Sequence, residues 1–143
     1  MKRISKYFCL LLLCLAFTGC SSKESETSEN DKQTVGSTSE NTYEQINQIQ
    51  AKEIMDSGEP YILLDVRSQE EYVDGHIKGA ILIPDHKISE QAEQQLPDKD
   101  ALILVYCRSG RRSKKAAGEL ASLGYTNVKE FGGIIDWAYG IER

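Results

Sequence analysis

The sequence predicts an α/β fold: a single domain with a parallel β-sheet flanked by helices on both faces. Three observations carry this reading. The runs YILLDV (61–66), AILIP (80–84) and ALILVY (101–106) are short and nearly all apolar, as strands buried on both faces are. Segments with helical spacing and capping signals lie between them. The two kinds alternate along the chain, which implies βαβ units and a sheet covered on both sides.

Taken in order, Asn47 and Gln50 form a capping pair, and Ile49, Ile54 and Met55 share one face of a helix that ends at Gly58. The strand at 61–66 follows. Ser68 and Glu71 make a second capping box, opening a short helix toward Tyr72 and Val73 that breaks near Gly75. The strand at 80–84 is stopped by Pro84, Ser89 caps a helix to Leu96, and residues 97–100 turn the chain into the strand at 101–106. Residues 113–125 place Ala116, Ala117, Leu120 and Leu123 on one helical face, with Gly124 as the C-cap. A last strand is expected at 128–131, then Gly132, Gly133 and a short terminal helix carrying Trp137.

The first part of the chain is of another kind. Residues 1–19 have a basic start (Lys2, Arg3, Lys6) and an apolar stretch from Tyr7 to Phe17, the layout of a secretory signal and too short for a stable membrane span. Thr18-Gly19-Cys20 resembles the end of a bacterial lipobox, with Phe17 where leucine is usual. That resemblance implies lipidation of Cys20 and an extracytoplasmic protein anchored to the cell membrane as a lipoprotein. Residues 20–42 are rich in Ser, Thr and Glu, with Val35 the only large apolar side chain, so they read as a disordered tether. The domain proper is expected at residues 43–143.

Cysteine usage then isolates one thiol. Cys9 and Cys14 would leave with the signal and Cys20 would carry lipid, so Cys107 stands alone in the domain, without an internal disulfide partner. It opens the stretch CRSGRRS (107–113), directly after an apolar strand. Residues 46–143 hold 16 acidic and 12 basic side chains, a net of −4, yet Arg108, Arg111, Arg112, Lys114 and Lys115 fall together with no acid among them. A compact basic cluster in an acidic domain fits a small anionic ligand; a nucleic-acid surface would need a broader basic face.

In parallel sheets, ligands bind beyond the carboxyl ends of strands, at helix N-termini. The segment from Cys107 to Arg112 has that place. A loop curled around the thiol would aim backbone N–H groups at it, the following helix would add its dipole, and Arg108, Arg111 and Arg112 would add full charges. Gly110 permits the turn, while Ser109 and Ser113 offer hydroxyl donors. All of these favour thiolate over thiol.

LLDVRSQEEYVDGHIKGAILIP (63–84), CRSGRRS (107–113) and FGGIIDWAYG (131–140) together resemble the rhodanese, or sulfurtransferase, domain family. The resemblance covers roughly residues 43–143, with the three blocks in family order. It implies that Cys107 is the nucleophile, taking the outer sulfur of an anionic donor such as thiosulfate and passing it, as a persulfide, to a thiol or cyanide. It implies that Arg108, Ser109, Gly110, Arg111, Arg112 and Ser113 bind the substrate. Asp65 and Arg67 then read as structural supports for the loop. Lys78 and Glu142 stand where the family often has proline. No cofactor or metal is implied, since His76, His86 and one cysteine make no recognisable ligand set. His76 reads as a positioned turn residue, His86 as surface, and Trp137 as a core lid. A monomer is expected, with no nucleic-acid partner.

Two other classes compete. Phosphatases and arsenate reductases also use a thiolate in an oxyanion loop, but with five residues between cysteine and arginine; here Arg112 comes after four and Ser113 holds the sixth place. A non-catalytic or redox-sensing binding module would keep the fold without the transfer.

Overall fold

The computed structural model describes residues 42–143. The signal, the lipidation site at Cys20 and the tether through residue 41 lie outside them. The elements are β1 (Glu44–Gln45), α1 (Gln48–Asp56), β2 (Ile62–Asp65), α2 (Gln69–Asp74), β3 (Ile81–Leu82), a 3-10 turn (Asp85–Lys87), α3 (Ile88–Gln95), β4 (Ile103–Cys107), α4 (Arg111–Ser122), β5 (Val128–Gly133) and a second 3-10 turn (Ile134–Asp136). The five strands form one sheet in the order β1-β5-β4-β2-β3, and every pairing is parallel. β4, apolar throughout and wholly buried, lies at its centre.

The strand alternation divides the core. Leu64, Ile103, Val105 and Cys107 point to one face, where Ala92 of α3 and Ala116 and Leu120 of α4 cover them. Leu63, Leu104 and Tyr106 point to the other, against Ala51 of α1 and Phe131. The thiol thus belongs to the α3/α4 face. Both expected capping boxes are formed: Gln50 N–H donates to Asn47 at 2.9 Å, and Glu71 N–H to Ser68 at 3.3 Å. Helix α4 ends in a Schellman arrangement, with Gly124 at φ +92°, its N–H on Ala121 O and the Tyr125 N–H on Leu120 O.

Several expectations are corrected. Ile49 is 62% exposed, and Ala51 is the buried residue of α1, packed in a cluster with Leu104 and Phe131. Ser89 does not cap α3; the helix starts at Ile88, fed by the 3-10 turn, and the Ser89 hydroxyl bonds Glu119 instead. Helix α4 begins at Arg111, two residues before the expected start, since Gly110 at φ +96° turns the chain in a single step. The terminal helix is only a 3-10 turn, and Trp137 lies just past it, packed on Phe131 at 5.6 Å between ring centres. Strand β1 was not legible in the sequence.

A buried ion pair fixes the end of β2. The Arg67 Nε donates to both Asp65 carboxylate oxygens, at 3.0 and 2.9 Å, and Nη2 reaches Asp65 Oδ2 at 2.6 Å and Gly75 O at 2.7 Å. Both side chains are almost fully enclosed. The next segment is tied twice more. Ile77 N–H donates to the Tyr106 hydroxyl at 3.1 Å, and His76 and Glu142 exchange backbone bonds of 2.9 and 2.8 Å. Glu142, where the family resemblance leads one to expect proline, thus supplies an N–H that proline lacks. Asp65→Ala strands the guanidinium without a counter-charge, and urea denaturation is expected to show a loss of about 3–5 kcal/mol. A loss within experimental error would mean that the pair contributes nothing.

Candidate active site

Cys107 is the last residue of β4 and is 1% exposed. Arg108, Ser109 and Gly110 form the whole connection to α4. This tight turn brings the Gly110 N–H to the sulfur at 3.1 Å, and the Ser113 hydroxyl lies 3.5 Å from it on the first turn of the helix. Burial pushes the thiol pKa up, but hydrogen bonding from Ser113, Ser109 and Gly110 outweighs that and leaves it below the ordinary thiol value. The N-terminus of the twelve-residue α4 adds its dipole in the same direction.

The loop rests on β5. A bulge there shifts the register, so that Val105 pairs with Glu130 but Cys107 with Gly133. Gly133 lies so close under the loop that a Cβ on it would fall 2.3 Å from Arg108 O and 2.6 Å from the Ser109 Cα. Only a residue without a side chain fits there. The Ile135 N–H then donates to Arg108 O at 3.3 Å, and Gln48 Nε2 of α1 holds Gly133 O at 2.7 Å.

The candidate residues fall into four groups. Arg108, Ser109 and Arg111 are exposed or at the surface around the sulfur, while the buried Gly110 presents its backbone N–H. Arg112 is engaged elsewhere: Nη1 and Nη2 donate to the two oxygens of Glu71 at 2.7 and 2.8 Å, a bidentate pair that ties α4 to α2. Ser113 is fully buried beneath the sulfur, so its hydroxyl acts on Cys107 rather than on a ligand in solvent. Asp65 and Arg67 clamp Gly75 and lie on the opposite side of Tyr106, whose ring faces the guanidinium at 5.8 Å. They support the strand before the loop and make no hydrogen bond to the loop itself.

Two acids were missed. Glu71 was legible only as a capping residue, yet the same carboxylate receives both Ser68 N–H and Arg112. Glu130 is 2% exposed and takes the Ser113 hydroxyl at 2.6 Å and the Gly132 N–H at 2.8 Å. The available signal was an acid two residues after Val128, on the same inward face of the strand.

Comparison with known proteins joins this geometry to a family. The Rhodanese-like domain pattern matches residues 47–139, nearly the whole of the described part. The chain belongs to the rhodanese-like family. Among its relatives, this rhodanese-like chain is 41% identical over 75 residues to the thiosulfate sulfurtransferase PspE of Escherichia coli, covering 52% of this chain and 72% of that one. It is 38% identical over 81 residues to a sulfurtransferase of Allochromatium vinosum, covering 56% and 74%. A solved structure described as rhodanese with anions from E. coli matches with a TM-score of 0.56 and 37% identity, over 59% of this chain and 99% of that one.

The Glu71–Arg112 pair has a pH signature. Arg112 holds the Glu71 carboxyl down to about 2, below its ordinary 4.5. The folded value lies below the unfolded one, so the contribution is complete above about 4.5 and disappears as pH falls toward 2. The pair is partly solvated, and Arg112→Ala is therefore expected to cost about 1 kcal/mol at neutral pH, by urea denaturation. That difference should shrink as pH falls below 4.5 and be mostly gone by about pH 2, as Glu71 of the wild type takes up its proton. An equal difference at both pH values would assign the effect to packing.

Proposed function

We propose that this rhodanese-like domain is a sulfurtransferase that moves sulfane sulfur through a persulfide on Cys107. The observation that carries the reading is the sulfur itself. It lies at the meeting of a strand end and a helix N-terminus, faced by the Gly110 N–H at 3.1 Å, with Arg108 of the loop and Arg111 at the start of α4 exposed beside it.

Thiosulfate fits this chemistry. The Cys107 thiolate attacks the outer sulfur, a new S–S bond forms, the S–S bond of thiosulfate breaks, and sulfite leaves with its electron pair. The leaving group is anionic, and so is the persulfide that remains, so N–H groups and cations that favour the thiolate favour each later charge as well. In the second half, a thiolate or cyanide attacks the outer sulfur and Cys107 departs as thiolate. The arrangement disfavours a phosphatase, which needs an arginine directed into the oxyanion loop. Arg112 is bound to Glu71, and the sixth place after the cysteine belongs to buried Ser113.

Reduced protein treated with thiosulfate is expected to gain the mass of one sulfur atom on the Cys107 peptide and to release sulfite. Cyanide should then remove that mass and yield thiocyanate, and Cys107→Ser should show neither step. A folded protein with a demonstrably free Cys107 thiol and no mass gain would refute the thiosulfate reaction.

A further inference from the structure

Behind the sulfur, the structure holds a buried acid with no part in the scheme above. Glu130 of β5 points toward α4, and its Oε1 accepts the Ser113 hydroxyl at 2.6 Å and the Gly132 N–H at 2.8 Å. The Ser113 oxygen has three further neighbours: Gly110 O at 3.0 Å, Gly132 O at 3.4 Å and Cys107 Sγ at 3.5 Å. All four can accept, and the hydroxyl has one proton. The carboxylate is the nearest and the only one bearing a full charge when Cys107 is a thiol, so it takes that proton. A serine lone pair is then left for the sulfur, at a separation that suits the weak S–H donor.

We propose that Glu130 is the proton acceptor for the Cys107 thiol, acting through Ser113. The Sγ–H bond breaks and its proton passes to Ser113 Oγ, while the serine proton passes to Glu130 Oε1. The products are a thiolate that accepts a hydrogen bond from Ser113 and a neutral carboxylic acid. Atoms and charge balance, and no solvent base is used, which matters where Cys107 is 1% and Glu130 2% exposed. Glu130 touches neither the sulfur nor a donor molecule; it is a positioning residue whose effect reaches the sulfur by way of one hydroxyl. The other charged groups near the sulfur are Arg112 on α4, held by Glu71 of α2 and faced by Asp85 of the first 3-10 turn, and the exposed Arg108 and Arg111. Arg67 and Asp65 of the β2 end are engaged with each other and Gly75 on the far side of Tyr106.

The proposal gives the sulfur-transfer reading a source of thiolate and rests on that reading for its purpose, but it is tested on the thiol alone. The probe is iodoacetamide, with alkylation of the Cys107 peptide followed by mass spectrometry across the pH range in the purified protein, Glu130→Gln and Ser113→Ala. The amide of the Glu130→Gln variant keeps an acceptor for Ser113 and Gly132 but cannot take the proton. Both variants are expected to react about a hundredfold more slowly below neutral pH, at the low end of what a positioned proton acceptor contributes. Both should approach the wild-type rate in alkaline solution, where hydroxide does the same work. Unchanged or faster alkylation of Glu130→Gln in acid overturns the proposal, because it would make Glu130 merely a negative charge opposing the thiolate. A deficit that is equal at every pH overturns it too, as a structural defect. If Glu130→Gln does not fold, Glu130→Ala decides by the same profile, because it also removes the acceptor and leaves the Ser113 hydroxyl at the sulfur. Failure of thiosulfate to load Cys107, with this profile intact, would count against the transfer reading and not against the proton path.

Discussion

The hydrogen bond from the Gly110 N–H to the Cys107 sulfur is the contact on which the rest of the structure converges. It exists because a strand ends and a helix begins within three residues, and that requires Gly110 at φ +96°. In this arrangement the backbone dipoles of the turn and of α4 sum at one atom. The fixed partial charges come from the main chain and need no reorganisation when an anion arrives.

Holding such a turn in place takes three supports from different elements. β5 supplies Gly133, the surface on which Arg108 and Ser109 lie, and its bulge is what brings that glycine opposite Cys107. Helix α2 supplies Glu71, which binds Arg112 and so pins the first turn of α4. The end of β2 supplies the Asp65–Arg67 pair, fixing the chain at Gly75 and thereby the packing around Tyr106, the residue before the cysteine. Of the three arginines in CRSGRRS, Arg112 is therefore an anchor, as Arg67 is at the end of β2, and two, Arg108 and Arg111, are left facing solvent near the sulfur. Charge in the sequence and charge in the site are different quantities.

Much of this was legible from residues alone. The strands at 61–66 and 101–106, the two capping boxes, the Gly124 C-cap and the α4 core face are all local signals, with hydrophobic period and cap chemistry agreeing. The place of Cys107 just after a strand was read from the apolar run 101–106, and the rule for ligand sites in parallel sheets made that place the candidate site. What escaped depends on partners distant in sequence. Glu130 lies seventeen residues from Ser113 and Glu71 forty-one from Arg112. Neither pairing leaves a periodic trace. Ile49 and Ser89 failed for a related reason: each fits a local pattern, but the packing of Ala51 against Leu104 and Phe131 and the preceding 3-10 turn decide the outcome. Ser113, expected at the ligand, is instead buried under the sulfur because α4 starts two residues early.

What this turn does for Cys107 is favour its thiolate despite burial. The most direct measurement is the ultraviolet thiolate absorbance against pH, taken as the difference between the protein and its Cys107→Ser variant. The midpoint is expected below that of an ordinary thiol. A midpoint at or above that of an ordinary thiol would show that desolvation wins over the hydrogen bonds at the sulfur, and would contradict that preference for the thiolate.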